Sequence, residues 1–301
     1  MRTAAIGIGS NSLRMLVADL TDCQLHRVER FREGLRMFAA LDDQGCITSD
    51  MIGLACEKIG AFQKEAVKQG AENIHLFATS AVRDAANQDE LAQALYRSTG
   101  LRLEICSGDT EAHLSFWGAA GMGESGVIDI GGGSTEIVSG HQLRIDHAVS
   151  LQMGAVRLFR MKSIQSVADA QSVVQMAEDI LLPEEKAFKT GMPVEWIGVG
   201  GTFTTSAALV QRIPWQMREN IHGYLLTKEK IQEAMEYLAP LSMEERLRLD
   251  FLQPQRADIV VHGIAILLAC MRRLNISAIT VSECGNLEGY LKAKYLFGKK
   301  N

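Results

Sequence analysis

Two stretches of this chain alternate apolar with small or polar positions around a glycine turn, and one can be written beneath the other. Gly126-Val127-Ile128-Asp129-Ile130 is a short apolar run carrying one acid, Gly131-Gly132-Gly133 interrupts it, and Ser134-Thr135-Glu136-Ile137-Val138 resumes as a β-prone run. The pattern predicts strand, tight turn, strand. Ile6-Gly7-Ile8-Gly9-Ser10-Asn11-Ser12-Leu13-Arg14 has the same layout, with Ile6 under Ile128, Ile8 under Ile130, Gly9 under Gly131 and Ser12 under Ser134. A motif repeated at this separation predicts two related domains, not an array of short repeats. Gly7 stands where the second copy has Asp129.

In the first half, residues 3–8, 12–19 and 24–31 have strand composition and are joined by turn signals at Gly9-Ser10-Asn11 and Thr21-Asp22, which predicts a meander. From Ser49 or Asp50 to Gly70, apolar Ile52, Ala55, Ile59, Phe62 and Val67 recur at helical spacing. A strand over 73–80, a helix over 84–98 ending near Gly100 and a strand over 101–106 follow. Ser107-Gly108-Asp109 then opens a helix containing Glu111, Leu114, Trp117 and Gly121. The glycine-rich stretch 121–126 is the best boundary, dividing the chain into domains 1–122 and 123–301. The second half repeats the plan. Strands are expected at 127–130, 135–139 and 143–149, then helices over much of 154–189, with Pro193 marking their end. A strand over 194–199 breaks at Gly200-Gly201 into a helix from near Thr202; helices at 227–239, 243–250 and 254–274, a strand at 277–282 and a helix from about Glu283 complete the chain.

Composition narrows the class. With 301 residues, 47% hydrophobic and 22% charged, the chain can bury two medium cores, and a net charge of −5 argues against a general nucleic-acid or membrane-surface binder. A polyanionic ligand therefore needs a local cluster of Arg and Lys. Six cysteines (Cys23, Cys46, Cys56, Cys106, Cys270, Cys284) form no C-x-x-C pair, which fits reduced thiols in the cytoplasm. The N-terminal run has no apolar signal-peptide core, and the apolar run 259–271 carries His262 and is too short for a bilayer. The seven histidines show no metal-binding pair; His222 beside Gly223 reads as a turn residue.

Glycine leaves backbone amides uncovered, and consecutive N–H groups can form a concavity for phosphate. Asp129 and Glu136 flank that concavity. Carboxylates beside a phosphate call for a divalent cation or an attacking water, both of which belong to phosphoryl transfer. Three strand-to-glycine turns (Gly9-Ser10-Asn11, Gly131-Gly132-Gly133, Gly200-Gly201-Thr202) are what a nucleotide or polyphosphate cleft between two α/β domains needs. The dinucleotide fingerprint fails, because Gly7-Ile8-Gly9 leads into a strand, and no Walker A sequence is present.

Together with Ala78-Thr79-Ser80-Ala81-Val82-Arg83-Asp84-Ala85, Ser107-Gly108 with Glu111-Ala112, Gln152-Met153-Gly154-Ala155-Val156-Arg157, Gly198-Val199-Gly200-Gly201-Thr202, Arg256-Ala257-Asp258-Ile259 and Ser282-Glu283, these motifs closely resemble the exopolyphosphatase and guanosine pentaphosphate phosphohydrolase (Ppx/GppA) family, in its short form. The resemblance implies an α/β chain of the actin-like ATPase (ribonuclease H-like) superfold, with two similar domains around a central cleft. It implies release of terminal orthophosphate from inorganic polyphosphate or from the 5′ end of guanosine pentaphosphate, with Mg²⁺ or Mn²⁺, by a cytoplasmic homodimer. Glu111 matches the catalytic glutamate and would orient and deprotonate water. Asp129 and Glu136 would hold cation and water. Ser10, Asn11, Gly131, Gly132, Gly133, Ser134 and Gly201 would cradle phosphate oxygens, with Arg83 as the main cationic clamp and Arg14 and Arg157 behind it. Gly7 departs from the family, which generally carries Asp there. Two readings follow: an enzyme whose Mg²⁺-dependent activity Gly7→Asp would raise, or a sensor that binds polyphosphate or guanosine penta- or tetraphosphate without turning it over. A kinase or ATPase is the third, and no adenine pocket is identifiable for it.

Overall fold

The computed structural model describes residues 1–21, 24–189 and 195–297. Asp22, Cys23, Pro193 and Val194, named above, lie outside the described residues. The chain divides into two compact units, Met1–Gly118 with the segment from Asn286 on, and Ala119–Gly285.

The first unit opens with β1 (Arg2–Ile8), β2 (Ser12–Thr21) and β3 (Gln24–Gly34), an antiparallel meander. Helix α1 (Ser49–Lys68) starts where the Thr48 side chain accepts the Met51 N–H, and it buries Ile52, Ala55, Ile59, Phe62 and Ala66. Val67, expected on that stripe, is 61% exposed; Ala66 keeps the three- and four-residue spacing and Val67 falls one position past it. β4 (Asn73–Ala78) runs parallel to β1 and stops two residues early. There the Thr79 N–H bonds Ile8 O and the chain turns into α2 (Ser80–Arg83). α3 (Gln88–Thr99) begins later than 84, because residues 84–87 form a turn whose Asn87 side chain pairs with the Ile47 backbone. β5 (Leu103–Ile105) and α4 (Gly108–Ala119) follow, the helix ending before Gly121. The sheet order is β3-β2-β1-β4-β5.

The second unit repeats this with β6 (Glu124–Ile130), β7 (Thr135–His141) and β8 (Arg144–Leu151) as the meander. Then come α5 (Ala155–Met161), α6 (Val167–Leu181), α7 (Glu185–Lys189), β9 (Glu195–Val199) and α8 (Gly201–Gln211). A three-residue strand too short to read from periodicity, β10 (Leu225–Thr227), precedes α9 (Lys228–Leu238) and α10 (Met243–Leu247). The helix expected over 254–274 is a 3-10 turn at Pro254–Arg256 and then α11 (Val260–Arg273); from Val260 to Met271 every residue is buried. β11 (Ala278–Ser282) completes the sheet order β10-β11-β9-β6-β7-β8. The two sheets share one plan, a three-stranded meander followed by two strands added parallel to its first strand, and the second sheet carries β10 as an extra antiparallel edge strand.

The last helix, α12 (Asn286–Lys292), starts three residues after Glu283, because the Ser282 hydroxyl and backbone close a turn over Cys284. Leu287, Tyr290 and Leu291 pack with Ala5, Leu16, Ala18, Phe77 and Leu114, and Arg30 pairs with Glu288. Burial thus groups α12 with the first unit. Among the described residues no helix is long and apolar enough to cross a membrane, and Cys46, Cys56, Cys106, Cys270 and Cys284 are free.

Candidate catalytic and phosphate-binding residues

In the second unit, Ile128 and Ile130 point into the core, at 0% and 1% exposure. The two-residue period of the strand then puts Asp129 on the opposite face. Its cross-strand partner is Glu136, and the partner of Glu136 on β8 is Ser150, whose hydroxyl donates to Glu136 Oε1 at 2.7 Å. Both carboxylates are buried. The turn between them closes with Gly131 N–H donating to Ser134 O at 3.0 Å. Its other carbonyls are all engaged from one side: Gly131 O by Ala155 N–H (3.0 Å), Gly132 O by Val156 and Arg157 N–H (2.9 and 3.0 Å), and Gly133 O by Arg157 Nε–H (2.7 Å). In a trans peptide the C=O and the following N–H point in opposite directions. The amides of Gly132, Gly133 and Ser134 are therefore turned to the other side, as an anion cradle requires.

Gly154 makes this possible, since a Cβ there would lie 2.3 Å from Gly132 O. The Ser134 hydroxyl is buried with no hydrogen-bond partner. Gly200 has φ +96°, and a Cβ on it would meet Asp129 Oδ1 at 2.7 Å. Gly201 opens α8, and a Cβ on it would lie 1.8 Å from Arg256 Nη2. Arg256 thus brings a guanidinium to the positive end of a helix, where a cation alone is disfavoured and an anion is complementary to both. Sequence reasoning quoted Arg256 within a motif but gave it no role. Its signal is tertiary, because the residue is far along the chain from Gly201.

The first unit holds the other copy. Gly9 N–H donates to Ser12 O at 3.0 Å, the same closure as in the second turn. Ser10 O accepts from Phe38 N–H (2.9 Å), and Asn11 O accepts from Leu35 and Arg36 N–H (3.1 and 3.0 Å), so the Asn11 amide is turned away from that segment. Ser10 Oγ lies 2.8 Å from Ser80 Oγ at the start of α2. At the end of α2, Arg83 Nη1 donates to Glu111 Oε2 (2.9 Å) and to Cys106 O (3.0 Å), while its Nη2 is buried without a partner. Glu111 sits in the first turn of α4 and is buried. Burial pushes the Cys106 thiol up to about 12, so it stays protonated and is no nucleophile.

The predicted residues thus fall into two sets. Ser10, Asn11, Arg83 and Glu111 belong to the first unit; Asp129, Gly131, Gly132, Gly133, Ser134, Glu136 and Gly201 belong to the second. Three further positions have surroundings that the sequence does not show. Arg157 donates to Gly133 O and to Gln152 Oε1, which ties its guanidinium to the glycine turn. Arg14 donates to Asn286 Oδ1 at 3.1 Å, and its cross-strand partner Arg32 donates to Ser12 Oγ. At Gly7 a Cβ would lie 2.9 Å from Phe77 Cζ, so Gly7→Asp requires that ring or the strand to shift. His222 is a turn residue as expected, its Nδ1 accepting from Glu283 N–H.

Among the described residues no group of three or more His, Cys, Asp or Glu could hold a metal ion. Asp129 and Glu136 are nevertheless hard oxygen donors on neighbouring strands and fit Mg²⁺, which keeps several waters and needs only one or two carboxylates beside substrate phosphates.

Residues 16–296 match the model of the Ppx/GppA phosphatase family. Exopolyphosphatase 2 of Mycobacterium tuberculosis is 30% identical over 312 residues, covering 96% of this chain and 97% of that one. Guanosine-5′-triphosphate,3′-diphosphate pyrophosphatase of Aeromonas salmonicida is 29% identical over 96% of this chain, which spans 58% of that longer relative. The crystal structure of an exopolyphosphatase from Cytophaga hutchinsonii superposes with a TM-score of 0.90 at 26% identity, over 100% of this chain and 99% of that one. Two sheets sharing a five-strand order, each with a closed glycine turn in its first hairpin, are the actin-like architecture of those relatives, and this chain belongs to the Ppx/GppA phosphatase family.

Proposed function

We propose that this chain hydrolyses the terminal phosphoanhydride of a linear phosphate polyanion, either inorganic polyphosphate or the 5′ end of guanosine pentaphosphate, with Mg²⁺. The observation that carries the reading is the pair of glycine turns whose carbonyls are tied back by neighbouring N–H groups, together with Ser134 Oγ in the second turn and Arg83 Nη2 in the first unit, both buried and unpartnered. Buried polar groups ordinarily find partners; a phosphate oxygen would serve each.

Glu111 is assigned as the base. It takes a proton from water as the water oxygen bonds to the terminal phosphorus, the bridging P–O bond breaks, and the electron pair leaves with the shortened chain. Orthophosphate and a polyanion one phosphate shorter are the products. Arg83 orients the Glu111 carboxylate and offers Nη2 to a phosphate oxygen. The amides of Asn11, Gly132, Gly133 and Ser134 take further oxygens, joined by Ser10 Oγ and the Gly201 end of α8. Asp129 and Glu136 would hold the cation, which neutralises phosphate charge and orders water. A homodimer in the cytoplasm completes the reading; sedimentation velocity checks the assembly.

The test is phosphate release with Mg²⁺ from long-chain polyphosphate, short-chain polyphosphate, guanosine pentaphosphate and ATP, by wild type and Glu111→Ala in parallel. Release from one of the first three that disappears in Glu111→Ala supports the reading and names the substrate. Silence on all four with polyphosphate binding retained overturns it in favour of a sensor, and release confined to ATP overturns it in favour of an ATPase.

A further inference from the structure

The two hairpins are equivalent in backbone and opposite in chemistry. On the face that carries Asp129 and Glu136 in the second unit, the register-equivalent positions of the first unit are Gly7 and Arg14. Gly7 is not an empty place for a carboxylate. Phe77 is its neighbour on β4, and a Cβ on Gly7 would meet Phe77 Cζ at 2.9 Å, Phe77 Cε1 at 3.3 Å and Leu287 Cδ2 at 3.4 Å. A flexible side chain would swing aside, but this ring is held. It is fully buried and stacks on Tyr290 at 4.6 Å between centroids with planes 6° apart, and the Tyr290 hydroxyl donates to Glu104 Oε2 at 2.7 Å. Burial, with Glu104 adding to it, pushes the Tyr290 phenol further up, so it remains a neutral donor. Glycine at 7 and phenylalanine at 77 are thus one packing solution. Arg14, opposite Gly7, adds a positive charge where the second hairpin has an acid.

We infer that the Gly7–Phe77 pair closes the first unit's hairpin to cations: among the described residues Asp129 and Glu136 hold the divalent ion on the protein side, and it binds firmly only together with phosphate oxygens of the substrate. Two carboxylates supply too few ligands for a strong site of their own, whereas two carboxylates with substrate phosphates are an ordinary Mg²⁺ arrangement. The inference rests on the phosphohydrolase reading above for the identity of the phosphate ligand.

The test measures Mn²⁺ retained with the protein on ultrafiltration, with and without linear tripolyphosphate, in a Glu111→Gln background that keeps the phosphate chain whole. Expected is retention at least about tenfold tighter with tripolyphosphate, with the Mn²⁺ component lost on Asp129→Asn while bound phosphate is counted separately. Without tripolyphosphate, Gly7→Asp should gain no Mn²⁺ affinity, and Gly7→Asp/Phe77→Val, which makes room for the carboxylate, should gain about tenfold. Equally tight retention without tripolyphosphate overturns the inference, as does a gain by Gly7→Asp alone equal to that of the double variant. The comparison with and without tripolyphosphate decides the matter even if neither Gly7 variant folds. Failure of the hydrolase reading shows separately, as absence of phosphate release by the wild-type chain.

Discussion

Arg83 Nη1 lies 2.9 Å from Glu111 Oε2, and both side chains are largely shielded from water, at 17% and 7% exposure. A charge-assisted hydrogen bond shielded in this way helps fix the Glu111 rotamer, because little bulk water is present to compete for it. Glu111→Gln should lower phosphate release by roughly 10²–10⁴-fold, the range of a general base. Arg83→Lys keeps the charge but not the forked donor set. It should cost about 10- to 100-fold in kcat, as expected for losing a charge-assisted hydrogen bond of about 1.5–3 kcal/mol. A steady-state assay of both variants checks this, and unchanged kcat in Arg83→Lys would remove Arg83 from its positioning role.

Gly154 lies against Gly132 O so closely that a methyl group would stand 2.3 Å from it. Gly154→Ala must displace the turn, with an overpacking cost of about 1–3 kcal/mol. Because the displaced carbonyl is the one that fixes the Gly133 amide, activity should fall more than stability does. Urea unfolding alongside phosphate release measures the two; a variant that loses stability with full activity would refute the cradle.

Arg246 is a buried arginine with a structural task. Its guanidinium donates to Leu238 O, Ala239 O and Ala257 O at 3.2–3.4 Å, tying off the end of α9. Burial lowers its pKa, with Asp258 acting in the opposite direction. Arg246→Met orphans those carbonyls and should destabilise the protein by about 3 kcal/mol. KM of the surviving folded protein should stay as it was, as thermal melts and kinetics at a temperature well below the melt would show.

Acid should weaken the fold through buried His262 and half-buried His75. Burial depresses His262 below its ordinary value of 6.5, chiefly by desolvation. The groups facing it are the Lys162 carbonyl and Asp258, which oppose the shift, Arg246, which adds to it, and the Phe159 ring at 5.4 Å. His75 is lowered for the same first reason. With the folded value below the unfolded one, the unfolded chain binds more protons beneath pH 6.5. The stability is thus fully present above that pH and is lost as pH falls through the folded value. The urea midpoint should drop between pH 7.5 and 5.5, and His262→Gln should flatten that slope; an identical slope would assign the acid sensitivity elsewhere.

Most elements are legible in the chain because their determinants are local. The apolar stripe of Ile52, Ala55, Ile59 and Phe62 marks α1, and the alternation around Asp129 marks β6 and the buried placement of its acid. Even the duplication is visible, and the structure repeats it down to the hydrogen bond that closes each turn, Gly9 to Ser12 and Gly131 to Ser134. Where a boundary moved, as at Ala78 or Val260, the cause was a backbone group bonded to a distant strand or a short 3-10 turn, neither of which has a period.

The amino-acid sequence by itself determined the two-domain α/β plan, the family, and the acids and glycines of the two hairpins. All of these depend on residue type and spacing within a few positions. Only the tertiary structure decided what those residues face. It brings Arg256 against Gly201, joins Arg83 to Glu111, ties Arg157 to Gly133 O, and sets the ring of Phe77 against Gly7. Each of these is a contact across tens of residues or more of chain, fixed by strand register and helix packing, and no local pattern encodes it.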